Sequence, residues 1–120
     1  MDKLFEKTVE SISEIVKFDS SRKPAQNGMP FGAQTAECLD YFLSLAKSLG
    51  FETKNYENYI EEEIFGEGEE FAVLAHLDVV PAGGGWTHDP FGGEIDYKNA
   101  RVWGRGTMDD KGPAVIALYC

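Results

Sequence analysis

The five-residue apolar run Phe71-Ala72-Val73-Leu74-Ala75 constrains this chain more than any other segment. It has the length of a strand, and with no polar residue in it neither face is suited to water. The pattern predicts a central strand buried on both faces. Such a strand needs neighbours in a sheet and helices packed over it, so the expected class is α/β, a mixed β-sheet with packed helices. The run delivers His76-Leu77-Asp78 at its carboxyl end, the edge at which open α/β sheets place their sites.

The flanking sequence supplies the other layers. In residues 2–17, Leu4, Phe5, Val9, Ile12, Ile15 and Val16 recur at spacings of three and four, the period of one helix face. Residues 18–34 hold two Pro and two Gly among polar turn formers, and read as a long surface loop. Thr35 is the expected N-cap of a second helix carrying Leu39, Phe42, Leu43, Ala46 and Leu49 on one face, with Gly50 at the left-handed exit. Two β-like segments follow, 51–57 and 59–65, the second alternating Ile60, Glu62 and Ile64 against Glu61, Glu63 and Phe65. The glutamates at 61, 62, 63, 67, 69 and 70 read as the solvated face of an exposed hairpin. Asp96-Tyr97 turns through Lys98-Asn99-Ala100 into Arg101-Val102-Trp103 as a second small hairpin. A last helix is expected with Pro113 in its first position; it carries no terminal Gly or Asn, so the chain reads as stopping in mid-element at Cys120.

Charge and composition narrow the function. At 120 residues one domain is expected. Eleven Lys and Arg against 21 Asp and Glu give a net charge of −10, which repels a phosphate backbone and argues against nucleic acid as a partner. The N-terminus lacks an apolar signal core, and no apolar run approaches the ~20 residues of a membrane span. Cys38 and Cys120 show no metal-knuckle spacing and sit in apolar helical patterns, as free thiols do in a reducing compartment. A cytoplasmic location is expected.

Three segments carry candidate chemistry. In an extended chain the side chains of His76 and Asp78 point to the same side, so imidazole and carboxylate can share a pocket as metal ligand and orienting group; a turn or a solvated strand end is the alternative. Gly104-Arg105-Gly106-Thr107-Met108-Asp109-Asp110-Lys111-Gly112 places two carboxylates before a helix, as hard oxygen ligands or as a charged turn. Its spacing departs from GxxxxGK[ST], and its carboxylates repel phosphate. The glycine-rich loop from Pro81 to Phe91 offers Trp86 and Phe91 either to a substrate pocket or to the core, with His88 read as a solvated loop residue.

Taken together, AHLDVVPAG (Ala75 to Gly83), GWTHDPF (Gly85 to Phe91) and GRGTMDDKGP (Gly104 to Pro113) resemble the zinc-dependent dipeptidase and deacylase family. That family includes bacterial peptidase V, carnosinases, acetylornithine deacetylase and succinyl-diaminopimelate desuccinylase. The resemblance implies that residues 1–120 are the N-terminal part of a zinc-exopeptidase-like catalytic domain, with the rest of that domain and an inserted domain absent. It makes His76 a ligand of one zinc, Asp109 the carboxylate bridging two, and Asp78 the residue orienting His76. Family members commonly hold the peptide bond after the bridging Asp in cis, and Asp110 receives no role of its own.

The DDKGP form resembles the dipeptidase branch and implies hydrolysis of unblocked dipeptides by two Zn2+ ions. Deacylation of N-acyl amino acids is the nearest alternative. The family's general-base Glu and its remaining ligands lie beyond residue 120, so this chain alone is expected to be inactive. A non-catalytic fragment that only folds or self-associates is the alternative of another class. Val115, Ile116 and Leu118 are expected to lose packing partners, which exposes apolar surface for homo-oligomers.

Overall fold

Asp2 opens the first helix: its carboxylate accepts the Leu4 amide at 2.8 Å, satisfying one of the amides that a helix start leaves without a partner. In the computed structural model, which describes residues 2–120, this helix is α1 (Lys3–Val16). The periodicity turns Ile15 and Val16 inward, both fully buried, whereas Leu4 and Phe5 at the other end remain exposed. Helix α2 (Ala33–Ser48) starts two residues before the expected cap. Gly32 flanks it, and Thr35 lies in its first turn with a buried hydroxyl that has no partner. The exit is as expected. Gly50 takes φ +93°, its amide donates to the Lys47 carbonyl at 3.0 Å, and the Phe51 amide donates to Ala46 at 3.1 Å. This pairing closes the helix end in a Schellman motif and swings Phe51 onto the core.

Strands β1 (Glu52–Tyr56) and β2 (Ile60–Ile64) form an antiparallel hairpin in which Glu52 faces Ile64 and Tyr56 faces Ile60. Strands β3 (Ile95–Asp96) and β4 (Arg101–Val102) form the second hairpin. The Asp96 carboxylate caps its turn by accepting the Asn99 amide at 3.1 Å. Helix α3 (Lys111–Tyr119) begins two residues earlier than the sequence suggests. Pro113 is its third residue, where an amide would have no intrahelical partner in any case. The three helices meet in one core of Ile15, Cys38, Phe42, Ala46, Ala114, Val115 and Leu118. Each fully buried aliphatic side chain there contributes about 1.5–3 kcal/mol.

The α/β class holds, with helices packed against small antiparallel sheets, and three expectations within it do not. Residues 71–75 join no strand ladder among the described residues, and Phe71 and Leu74 are 91% and 96% exposed. A strand exists only through its neighbours; β1 with β2 and β3 with β4 satisfy each other and leave this run without one. Val115 and Leu118 are buried, because α1 and α2 supply their contacts, and only Ile116 of that trio is exposed. Glu61 and Glu63 do not form a solvated face: they turn inward and are partly buried, while Ile60 and Ile64 point outward. Burial, with Glu63 and Asp40 nearby, pushes the Glu61 carboxyl up to about 9.

Cys38 is fully buried and Cys120 exposed. Burial pushes the Cys38 thiol up to about 11, so its thiolate fraction at pH 8 is on the order of 0.1%. Iodoacetamide at that pH is expected to add one label to the native chain and two in denaturant, as read by intact mass. Two labels at equal rates in the native chain would contradict the packing of α2.

Candidate metal-binding site

His76 and Asp78 lie on a stretch that joins no strand ladder. Two contacts flanking Asp78 fix it to the loop after α1: Ser20 Oγ donates to the Leu77 carbonyl at 2.6 Å, and the Val79 amide donates to the Ser20 carbonyl at 3.3 Å. Val79 is buried and Leu77 half-buried against this neighbourhood, while His76 and Asp78, before and between them, are exposed. His76 Nδ1 then lies 3.0 Å from the carbonyl oxygen of Asp78 and 3.2 Å from its carboxylate. A proton on Nδ1 serves both acceptors, and in that tautomer the Nε2 lone pair is open to a metal ion.

Nε2 points at Asp109, whose Oδ1 is 3.0 Å away. Asp109 and Asp110 are joined by a cis peptide bond, as the resemblance implies. Asp110 acquires a role that the sequence did not offer: its Oδ2 accepts the His76 amide at 3.2 Å, tying the two segments together while the residue flanks the start of α3. Burial works against charge on His76, but the Asp78 carbonyl and carboxylate, then Asp109 and Asp110, outweigh it and raise its pKa. A metal at Nε2 therefore competes with a proton, and binding strengthens as pH rises through the imidazole's pKa.

The sequence-derived candidates His76, Asp78 and Asp109 are thus brought together. The group faces water, with His76, Asp78 and Asp109 side chains 51%, 71% and 87% exposed. An imidazole nitrogen and a carboxylate oxygen converging on one point suit a divalent metal. Among the described residues no group of three or more His, Cys, Asp or Glu side chains is close enough to hold one, so the pair fits as part of a larger ligand set.

His88 is not a free loop residue. Its ring stacks on Trp103 with centroids 3.9 Å apart, and its Nδ1 lies 2.8 Å from Glu94, so it pins the loop to the β3–β4 hairpin. The Pro81–Gly85 turn is held as well: Trp86 Nε1 and Arg105 Nη2 both donate to the Ala82 carbonyl, at 2.9 and 3.2 Å, and the guanidinium lies over the Trp86 ring. Trp86 and His88 therefore brace the loop rather than stand free.

His76 and Asp109 thus meet from two separate loops of the α/β scaffold. Residues 72–120 match the family described as Peptidase family M20/M25/M40. Over 114 residues the chain is 42% identical to the Beta-Ala-Xaa dipeptidase of Lactobacillus delbrueckii subsp. lactis, covering 92% of this chain and 24% of that protein. It is 45% identical over 93 residues to the dipeptidase-named YtjP of Bacillus subtilis (strain 168), covering 77% of this chain and 20% of the relative. The chain belongs to the M20 peptidase family and spans between a fifth and a quarter of the length of these relatives.

Proposed function

We propose that the protein to which these residues belong hydrolyses unblocked dipeptides at a dinuclear zinc centre. His76 and Asp109 are two of its ligands, and Asp78 orients the imidazole. The convergence of His76 Nε2 and Asp109 Oδ1 at 3.0 Å, with Nδ1 already committed to Asp78, carries the reading. A divalent metal bound there supplies an acidified water and polarises the scissile carbonyl. Asp78 keeps the proton on Nδ1, and Asp110 holds the His76 backbone. The general base and the remaining ligands come from residues outside 1–120, as does the pocket that selects the side chains. The dipeptidase name of the relatives and the DDKGP form of residues 109–113 support a substrate with a free amino group over an N-acyl amino acid. A cytoplasmic setting accords with the free thiols; among the described residues no helix is long and apolar enough to cross a membrane.

The test has two arms. The 120-residue chain, of verified mass and supplied with zinc, is expected to release no amino acid from an unblocked β-alanyl or α-aminoacyl dipeptide. In the longer protein carrying these residues, His76→Ala is expected to lower kcat/KM by on the order of 10³-fold or more, the loss that several kcal/mol of metal-borne stabilisation implies. Turnover by the short chain would overturn the claim that its site is partial. Equal cleavage of N-acetylated substrates would overturn the substrate class.

A further inference from the structure

The loop between α1 and α2 contains a segment, Phe18 to Ser20, that bonds to residues next to each member of the proposed ligand pair: Leu77 and Val79 near His76, and Lys111 near Asp109. Ser20 is wholly buried. Its hydroxyl and its carbonyl take the two backbone contacts that bracket Asp78, Leu77 O at 2.6 Å and Val79 N at 3.3 Å. Two residues before it, the Phe18 carbonyl accepts the ammonium of Lys111 at 2.6 Å. Lys111 is likewise wholly buried, two positions after Asp109, and its side chain lies beside Gly106 in the same glycine-rich loop. A buried ammonium is costly unless it is hydrogen-bonded, and this one is spent on a main-chain oxygen of the loop that carries Ser20.

We propose that Phe18–Ser20 is a positioning strut, which sets His76 against Asp109 by holding the Leu77–Val79 backbone through Ser20 and the start of α3 through Lys111. The segment touches no reacting group. It acts by fixing where Nδ1 of His76 finds the Asp78 carbonyl, and so which imidazole nitrogen is left for metal. The inference rests on the reading of His76 and Asp109 as ligands, and it adds Phe18 and Ser20, which no motif marks, and a role for Lys111 of the DDKGP segment.

The experiment uses the 120-residue chain labelled with 15N in its imidazoles, read metal-free at a fixed pH where His76 is neutral, and then titrated with Zn2+ against a chromophoric chelator. The unaltered chain is expected to hold His76 in one tautomer, its ring fixed between Asp78 and Asp109. Ser20→Ala, and separately Lys111→Met, which keeps the stem and removes the donor, are expected to shift that tautomer toward the mixture of a free imidazole. Both are expected to weaken zinc binding by about 10- to 100-fold, the usual consequence of losing an outer orienting partner. Ser11→Ala is the control: it removes a hydroxyl of similar burial that meets Tyr119 at 2.9 Å between α1 and α3, and should leave the tautomer unchanged. Retention of the tautomer in both strut variants, or an equal change in Ser11→Ala, overturns the proposal.

Because the 120-residue chain carries only two of the proposed ligands, the metal-free tautomer decides the strut whether or not that chain holds zinc. Should either variant not fold, hydrogen exchange of the unaltered chain decides: protection at the Val79 amide is expected, and exchange at the rate of an open loop overturns the strut.

Discussion

Glu61→Gln is expected to stabilise the 120-residue chain by on the order of 2 kcal/mol at pH 8 and to change little at pH 5. Both oxygens of Glu61 are buried without a partner, and burial, Glu63 and Asp40 together raise the carboxyl from 4.5 to about 9. A carboxyl raised in the folded state keeps a proton that the unfolded chain gives up above about pH 4.5. Its cost to stability is therefore absent in acid and grows as pH climbs from there toward 9. Glutamine keeps the shape and removes the titration. The figure of 2 kcal/mol is set well below the full linkage value because the residue is only partly buried and water can relax around it. Urea unfolding of both proteins at pH 5 and pH 8 measures the difference, and an equal gap at the two pH values would refute the account. Glu63, raised chiefly by burial, adds a smaller slope of the same sign.

Gly112→Ala is expected to cost about 3 kcal/mol or more, at the upper end for an overpacked site. A Cβ at Gly112 would run into the carbonyl of Thr107, a main-chain atom with no rotamer to escape by, and the Gly112 amide is held to the Gly106 carbonyl at 3.1 Å. The strain can be relieved only by moving the turn that contains Asp109 and Asp110. Zinc affinity should therefore fall together with the urea midpoint. A variant whose midpoint and zinc binding both match the parent would show that the turn is looser than its contacts indicate.

The helices were legible because burial on one face writes a 3.6-residue period into the chain, as Ile12, Ile15 and Val16 do in α1 and Leu39, Phe42 and Leu43 do in α2. His76, Asp78 and Asp109 were legible because the motif segments name them. What stayed hidden depended on distant partners. The run from Phe71 to Ala75 has every property of a strand except a neighbour, and neighbours are not encoded locally. In β2, Ile60 and Ile64 compete with Glu61 and Glu63 for the inner face, and alternation alone cannot say which set goes in. Ser20 and Lys111 reach main-chain oxygens 57 and 93 residues away, and hydrogen bonds to backbone leave no mark in side-chain pattern. Thr35 shows the converse error: good capping chemistry was present, but the helix began upstream of it.

The pairing of His76 with Asp109 spans 33 residues, and this spacing has a consequence for the newly made chain. At roughly 5–20 residues per second of synthesis, the imidazole precedes its carboxylate partner by a few seconds, and Lys111 arrives later still. The contacts that bracket Asp78 therefore draw on a loop made before it, whereas the partner of His76 Nε2 is made after it.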